Sequence, residues 1–157
     1  MSLFTFSNLP KAEHDFRVAI AFADFNEKIT HEMAHRARKV FQKCGISREN
    51  IFLQNVAGAF ELPFAAKILQ NSGNFDGVLT IGAIIRGQTA HFELVANETA
   101  RGIMELNLRG EIPVAFGVLS CNEESLAIAR IEKADEFAAA LISQMNFAAN
   151  AVGQKFD

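Results

Sequence analysis

Gly77-Val78-Leu79-Thr80-Ile81-Gly82-Ala83-Ile84-Ile85-Arg86-Gly87-Gln88-Thr89-Ala90-His91-Phe92 decides the fold, because its pattern changes period within a few residues. Gly77-Val78-Leu79-Thr80-Ile81 is a short apolar run that reads as a buried strand, and the spacing over 92–108 predicts a helix. The decapeptide 82–91 between them is then a strand-to-helix turn. In open α/β sheets such turns gather at the carboxyl ends of the strands, where ligands bind and where helix N-termini offer free N–H groups to anions. The site is expected here.

Working outward, Arg17-Val18-Ala19-Ile20-Ala21-Phe22 is apolar almost throughout and suits a central parallel strand covered on both faces. Asp24-Phe25-Asn26 follows as a turn. Ile29, Met33, Ala37, Val40, Phe41 and Cys44 then make one stripe of an amphipathic helix that Gly45 ends. A second short strand is expected over 51–54. It leads through Val56-Ala57-Gly58-Ala59-Phe60-Glu61-Leu62-Pro63 into a helix running to about Gln70, with Pro63 in its first turn and Gly73 at its close. Phe92, Val95, Ala96, Thr99, Ile103 and Leu106 form the core face of the long helix, which Gly110 stops. A fourth strand is expected over 113–119, followed by helices over 124–134 and 137–149.

Strands alternating with helices predict a three-layer αβα sandwich around a four-stranded parallel sheet, with flavodoxin-like order. The 157 residues, half of them hydrophobic, suit one domain spanning the chain. Residues 1–14 read as an arm, broken by Pro10 and carrying Phe4 and Phe6, and residues 150–157 as a frayed tail through Val152 and Gly153. A net charge of −3 argues against a nucleic-acid surface, since such partners need clustered positive charge. The N-terminus lacks a basic region followed by a long apolar one, and no later run reaches membrane-spanning length. Cys44 and Cys121 each fall in or beside a core element, which suits a reducing compartment without a disulfide framework. The expectation is a cytoplasmic protein with neither nucleic-acid nor membrane partners.

Two motifs compete for attention. His31-Glu32-Met33-Ala34-His35 fits H-E-x-x-H, in which two histidines one helical turn apart hold zinc and the glutamate acts as base. Both histidines, however, project opposite the apolar stripe, and no third ligand follows at a suitable spacing; three protein ligands and an open position are needed. A solvated helix face is the better reading, and no metal is expected. Gly82 to Thr89 approximates a phosphate-binding P-loop, but Gln88 replaces the lysine and the run follows the third strand instead of the first. The backbone reason for an anion at that turn survives.

Four turns should converge on one sheet edge: Phe25-Asn26, residues 57–61, residues 82–91 and residues 120–122. They bring together the imidazole of His91, the hydroxyl of Thr89, and the polar groups of Glu61 and Asn26. Phe25, Phe60 and Phe116 stand in or just after neighbouring strands. Any one of the 15 phenylalanines is by itself more simply a core residue, but together these three describe a slot for a planar heterocycle beside an anion site. Lone Arg86 reads as a strand-edge ion pair.

Phe25-Asn26, Gly58-Ala59-Phe60-Glu61-Leu62-Pro63, Gly82-Ala83-Ile84-Ile85-Arg86-Gly87-Gln88-Thr89-Ala90-His91-Phe92 and Pro113-Val114-Ala115-Phe116-Gly117-Val118-Leu119 together resemble lumazine synthase, over roughly Phe16 to Met145. The resemblance implies a cofactor-free condensation in riboflavin biosynthesis. 5-Amino-6-ribitylamino-uracil would join 3,4-dihydroxy-2-butanone 4-phosphate to give 6,7-dimethyl-8-ribityllumazine, with loss of phosphate and water. By position, Phe25 would stack on the pyrimidine, and Ala59-Phe60-Glu61 and Ala83-Ile84-Ile85 would line its site. Glu61 and Asn26 would face the ribityl hydroxyls, while Gln88, Thr89 and Arg130 would hold the phosphate. His91 would transfer protons and Phe116 would close the pocket. The family shares each site between neighbouring subunits of a pentamer, so Phe116 and Arg130 would come from the adjacent chain.

The sequence departs from the family in two places. Ala57 stands where proline is usual. The glycine- and lysine-rich link after the phosphate arginine is replaced by Ile131-Glu132-Lys133-Ala134-Asp135-Glu136, in which Lys133 is the candidate second cation. Assembly of pentamers into larger shells is left open by that link. A riboflavin synthase of the archaeal type, and a flavin- or lumazine-binding relative without catalysis, are the alternatives.

Overall fold

The computed structural model describes residues 8–151. The predicted arm phenylalanines Phe4 and Phe6, and Val152 and Gly153 of the predicted tail, lie outside them. Four strands, β1 (Val18–Ala23), β2 (Ile51–Val56), β3 (Gly77–Ile85) and β4 (Val114–Cys121), form one all-parallel sheet in the order β2-β1-β3-β4. The helices are α1 (Glu27–Lys43), α2 (Leu62–Asn71), α3 (His91–Arg109), α4 (Glu124–Ile128) and α5 (Lys133–Ala151). This is the expected αβα sandwich with flavodoxin-like order.

Each sheet face has its own core. Ile20, Leu79 and Ile81 point toward Met33, Phe41, Leu141 and Ile142 of α1 and α5. Ala19, Ala21 and Val78 point toward Leu62, Ala66 and Ile103 of α2 and α3. The alternation follows from the two-residue period of a strand. It also explains why β1 and β3 read as unbroken apolar runs, since both of their faces are covered. Buried polar side chains are engaged: Thr80 Oγ1 donates to Ala115 O at 2.8 Å, and Gln70 Nε2 donates to Leu106 O and Ile112 O at the end of α3.

The structure moves several boundaries. Residues 82–85, read as the start of the central turn, continue β3 through Ile85, opposite Cys121. The misleading feature is Gly82, whose absent side chain lets α2 press onto the sheet. A Cβ there would stand 3.1 Å from Leu62 Cδ1 and 3.3 Å from Ala59 Cβ. β2 likewise extends beyond residue 54, to Val56, and β4 beyond residue 119, through Ser120 and Cys121 of the expected turn. Finally, α4 ends at Ile128 instead of near residue 134, and α5 begins at Lys133, earlier than expected. Successive tight turns fill the gap, with Arg130 N donating to Ala127 O and Lys133 N to Arg130 O, so the link needs no glycine.

Cys44 sits 2 % exposed against the α1 side of the core, and burial raises its thiol to about 11. An unfolded chain ionises this thiol near 8.5–9, while the folded one keeps its proton, so the stabilisation is complete below that range and is lost as pH rises toward 11. Urea unfolding under reducing conditions should therefore lose about 1 kcal/mol more between pH 8 and pH 10 in the natural protein than in Cys44→Ala. Parallel pH profiles for the two would contradict it.

Candidate active site

Chain direction alone assembles the carboxyl edge of the sheet. The connections after β1 and β3 depart in opposite directions along the sheet, so a crevice opens between these neighbouring strands. Asn26 spans it: its Nδ2 donates to Ala83 O at 2.8 Å, tying the turn after β1 to the end of β3. Asn26 is the one described non-glycine residue in the left-handed region, with φ 63° and ψ 44°. Asparagine tolerates that conformation better than most residues. Its carbonyl accepts the first α1 bonds, from Ile29 N and Thr30 N.

The turn after β2 closes onto the same edge. Asp24 N donates to Val56 O and Phe25 N to Ala57 O, at 2.7 and 3.0 Å. Ala59-Phe60-Glu61 forms a short 3₁₀ turn leading into α2, and buried Thr99 of α3 donates its hydroxyl to Ala59 O at 3.3 Å. A Cβ at Gly58 would lie 3.1 Å from Glu61 Oε2 and 4.0 Å from Phe25 Cβ, so these two side chains flank one glycine. Phe25 is 72 % exposed, an apolar ring held out from the core. Phe60 is exposed in the 3₁₀ turn, whereas Ala59, Ala83 and Ile84 are buried and Ile85 half-buried.

His91 is the first residue of α3, and its N–H reaches Thr89 Oγ1 at 3.4 Å. Gln88, Thr89 and His91 are all exposed. Arg86 anchors this loop as the predicted ion pair: its guanidinium bonds Glu93 in the first turn of α3 and Asn122 Oδ1 beyond β4, and lies 4.3 Å from the centre of the Phe92 ring. The Arg86 bond also holds the Glu93 carboxyl below its ordinary range.

Phe116 and Arg130 are placed differently. Phe116 is paired with Thr80 in mid-sheet, five residues before the end of β4 and hence about 16 Å along the strand from Cys121. It is 40 % exposed on the open sheet edge, in a groove with Phe137 and Gln144 of α5. Arg130 lies between α4 and α5, exposed, with Nη1 on Leu126 O. Within one chain Phe116 therefore belongs to the β4 edge and Arg130 to the link between α4 and α5, while Phe25, Glu61 and His91 follow the carboxyl ends of β1, β2 and β3. Lys133 Nζ is 2.9 Å from Glu136 Oε1, an ion pair on its own helix.

A second polar cluster had no sequence signal beyond the H-E-x-x-H pattern. Asp24 accepts from Asn55 Nδ2 at 2.8 Å on one carboxylate oxygen and pairs with His31 Nε2 at 3.0 Å on the other, both bonds holding its carboxyl low. His31 also meets Phe22 edge to face at 5.2 Å. An isolated Asn at a strand end carries no pattern that sequence reading can detect.

The fold is that of an open, doubly wound α/β protein, with the crevice at the point where strand order reverses as the candidate site. The family model for 6,7-dimethyl-8-ribityllumazine synthase matches residues 15–149, and the chain belongs to that family. It is 39% identical over 113 residues to a 6,7-dimethyl-8-ribityllumazine synthase of Limosilactobacillus reuteri, covering 72% of this chain and 73% of the relative.

The left-handed Asn26 yields a stability test. Asn26→Ala loses the bond to Ala83 and forces an unfavourable conformation, while Asn26→Gly loses the bond alone. In urea unfolding, the alanine variant should be less stable than the glycine variant by about 1 kcal/mol. Equal stabilities would mean that the turn does not hold this conformation.

Proposed function

We propose that this protein condenses 5-amino-6-ribitylamino-uracil with 3,4-dihydroxy-2-butanone 4-phosphate to 6,7-dimethyl-8-ribityllumazine, in the cytoplasm. The observation that carries this reading is the gathering of three family motifs over one crevice, with Asn26 bonded across it to Ala83. Phe25 stacks on the pyrimidine, Ala59, Phe60, Ala83, Ile84 and Ile85 shape its surroundings, and Glu61 and Asn26 take the ribityl hydroxyls. Gln88, Thr89 and the start of α3 receive the phosphate.

The 5-amino group attacks the ketone and water leaves to form an imine. Phosphate is then eliminated, the resulting enol becomes a carbonyl, and the ribitylamino nitrogen attacks it and closes the ring with loss of a second water. Each step moves a proton. An imidazole gives and takes protons near neutral pH, and His91 fills that role, a contribution of about 10²–10⁴-fold for groups of this kind. Holding two reactants in attack geometry is worth roughly 7–11 kcal/mol, the larger effect. Binding geometry therefore carries most of the acceleration.

The separation of Phe116 from the crevice supports a site shared between copies. Large apolar side chains stand exposed on both edge strands and on helices, Phe52 on β2, Phe64 and Ile68 on α2, Phe116 on β4, and Leu126 and Ile128 on α4. Two different exposed faces on one chain suit a head-to-tail contact, which closes into a ring. A pentamer is the inferred ring, with the neighbour's Phe116 closing the pocket and its Arg130 on the phosphate.

Mixing the two substrates with the protein should produce lumazine absorbance, and no signal would overturn the reading. His91→Ala should slow turnover by about 10²–10⁴-fold without abolishing it. Arg130→Ala should mainly raise KM for the phosphorylated butanone. Co-folding the two variants in equal amounts should rebuild about one quarter of the interfaces as intact sites and restore activity, whereas sites within one chain would give no rescue.

A further inference from the structure

We propose that Asp24 is a positioning residue for the reaction, and that the His31-Asp24-Asn55 bracket fixes the Phe25 ring where the pyrimidine stacks. The inference rests on the stacking role given to Phe25 above. A ring that is 72 % exposed has little packing of its own, so the backbone beneath it sets where it lies. That backbone joins three elements: the end of β1, the end of β2 and the start of α1. Main-chain bonds from Asp24 N to Val56 O and from Phe25 N to Ala57 O link only the first two. The carboxylate adds the third. One oxygen takes Asn55 Nδ2 from β2 at 2.8 Å and the other meets His31 Nε2 from the second turn of α1 at 3.0 Å, so a single side chain joins both flanks of the turn.

His31 is a suitable anchor because its own orientation is set. Its ring meets Phe22 of β1 edge to face, at 5.2 Å and 88° between planes. The first histidine of the H-E-x-x-H pattern thus acts on a carboxylate of its own chain. Asp24 and His31 are both nearly half exposed, a setting in which ion pairs add little to stability. Their effect is therefore expected in the placement of Phe25 and not in the unfolding midpoint.

The test measures both KM values, kcat and the unfolding midpoint for Asp24→Ala, His31→Ala, the double variant and Phe25→Ala in the full-length protein. Asp24→Ala should raise KM for the ribitylaminouracil three- to tenfold and leave KM for the phosphorylated butanone within twofold, with little change in midpoint. His31→Ala should act in the same direction, and the double variant should be no worse than Asp24→Ala, because both remove one bracket. Asp24→Asn, which retains the shape and one acceptor, should recover part of the loss and serves if the alanine variant folds poorly. Unchanged ribitylaminouracil KM in Asp24→Ala, beside a raised one in Phe25→Ala, would overturn the bracket alone. An unchanged KM in Phe25→Ala would overturn the stacking role and the bracket with it. Equal increases in both KM values with a lowered midpoint would reduce Asp24 to a structural residue.

Discussion

The parallel pairing of β1 with β3, two strands covered on both faces, is the constraint on which the other features depend. A parallel strand needs a crossover to reach its neighbour, and here the crossovers leave the β1 and β3 pair in opposite directions along the sheet. At their carboxyl ends Asn26 bonds across to Ala83 O, and the residues on either side become the walls of a crevice. Small residues serve the same end, since Gly82 and Ala59 let α2 approach the sheet closely enough to bring Glu61 beside Phe25.

Around this crevice the polar groups divide into those that are occupied and those that are available. Arg86, Glu93 and Asn122 engage one another and hold the first turn of α3 against the end of β4. Asp24, Asn55 and His31 do the same at the head of α1. Phe25 follows Asp24 directly and His91 lies two residues before Glu93, both exposed. Hydrogen-bonded support beneath these exposed side chains suits the proposed reaction, in which orientation supplies more of the barrier reduction than proton transfer. The exposure itself is consistent with a site completed by a second copy, since a crevice open on one side excludes little water.

The sequence reading succeeded where local pattern and tertiary demand agree. β1 and β3 announced themselves as apolar runs because both of their faces are buried, and the α1 stripe from Ile29 to Cys44 matches the face that α1 packs against the sheet. It faltered at Gly82, where the glycine answers to α2 packing above a continuing strand, and between α4 and α5, where tight turns replace the glycine that a break between helices usually carries. His31 was legible as a solvent-facing histidine, but its partner was not. Asp24 lies seven residues away and Asn55 thirty-one from Asp24, on different elements, and no spacing rule connects them.

By itself, then, the sequence determined the alternation of strands and helices, the buried character of the central strands and the residue types gathered at their carboxyl ends, because these depend on hydrophobic period and turn chemistry within short windows. Tertiary structure alone decided which of those residues face a common crevice. It separated Phe116, about 16 Å back along β4, from the turns that hold Phe25 and Glu61, and it gave Lys133 a carboxylate on its own helix. The reason is geometric: strand register and the order of strands in the sheet fix distances between residues far apart in the chain, and neither is encoded in any local stretch.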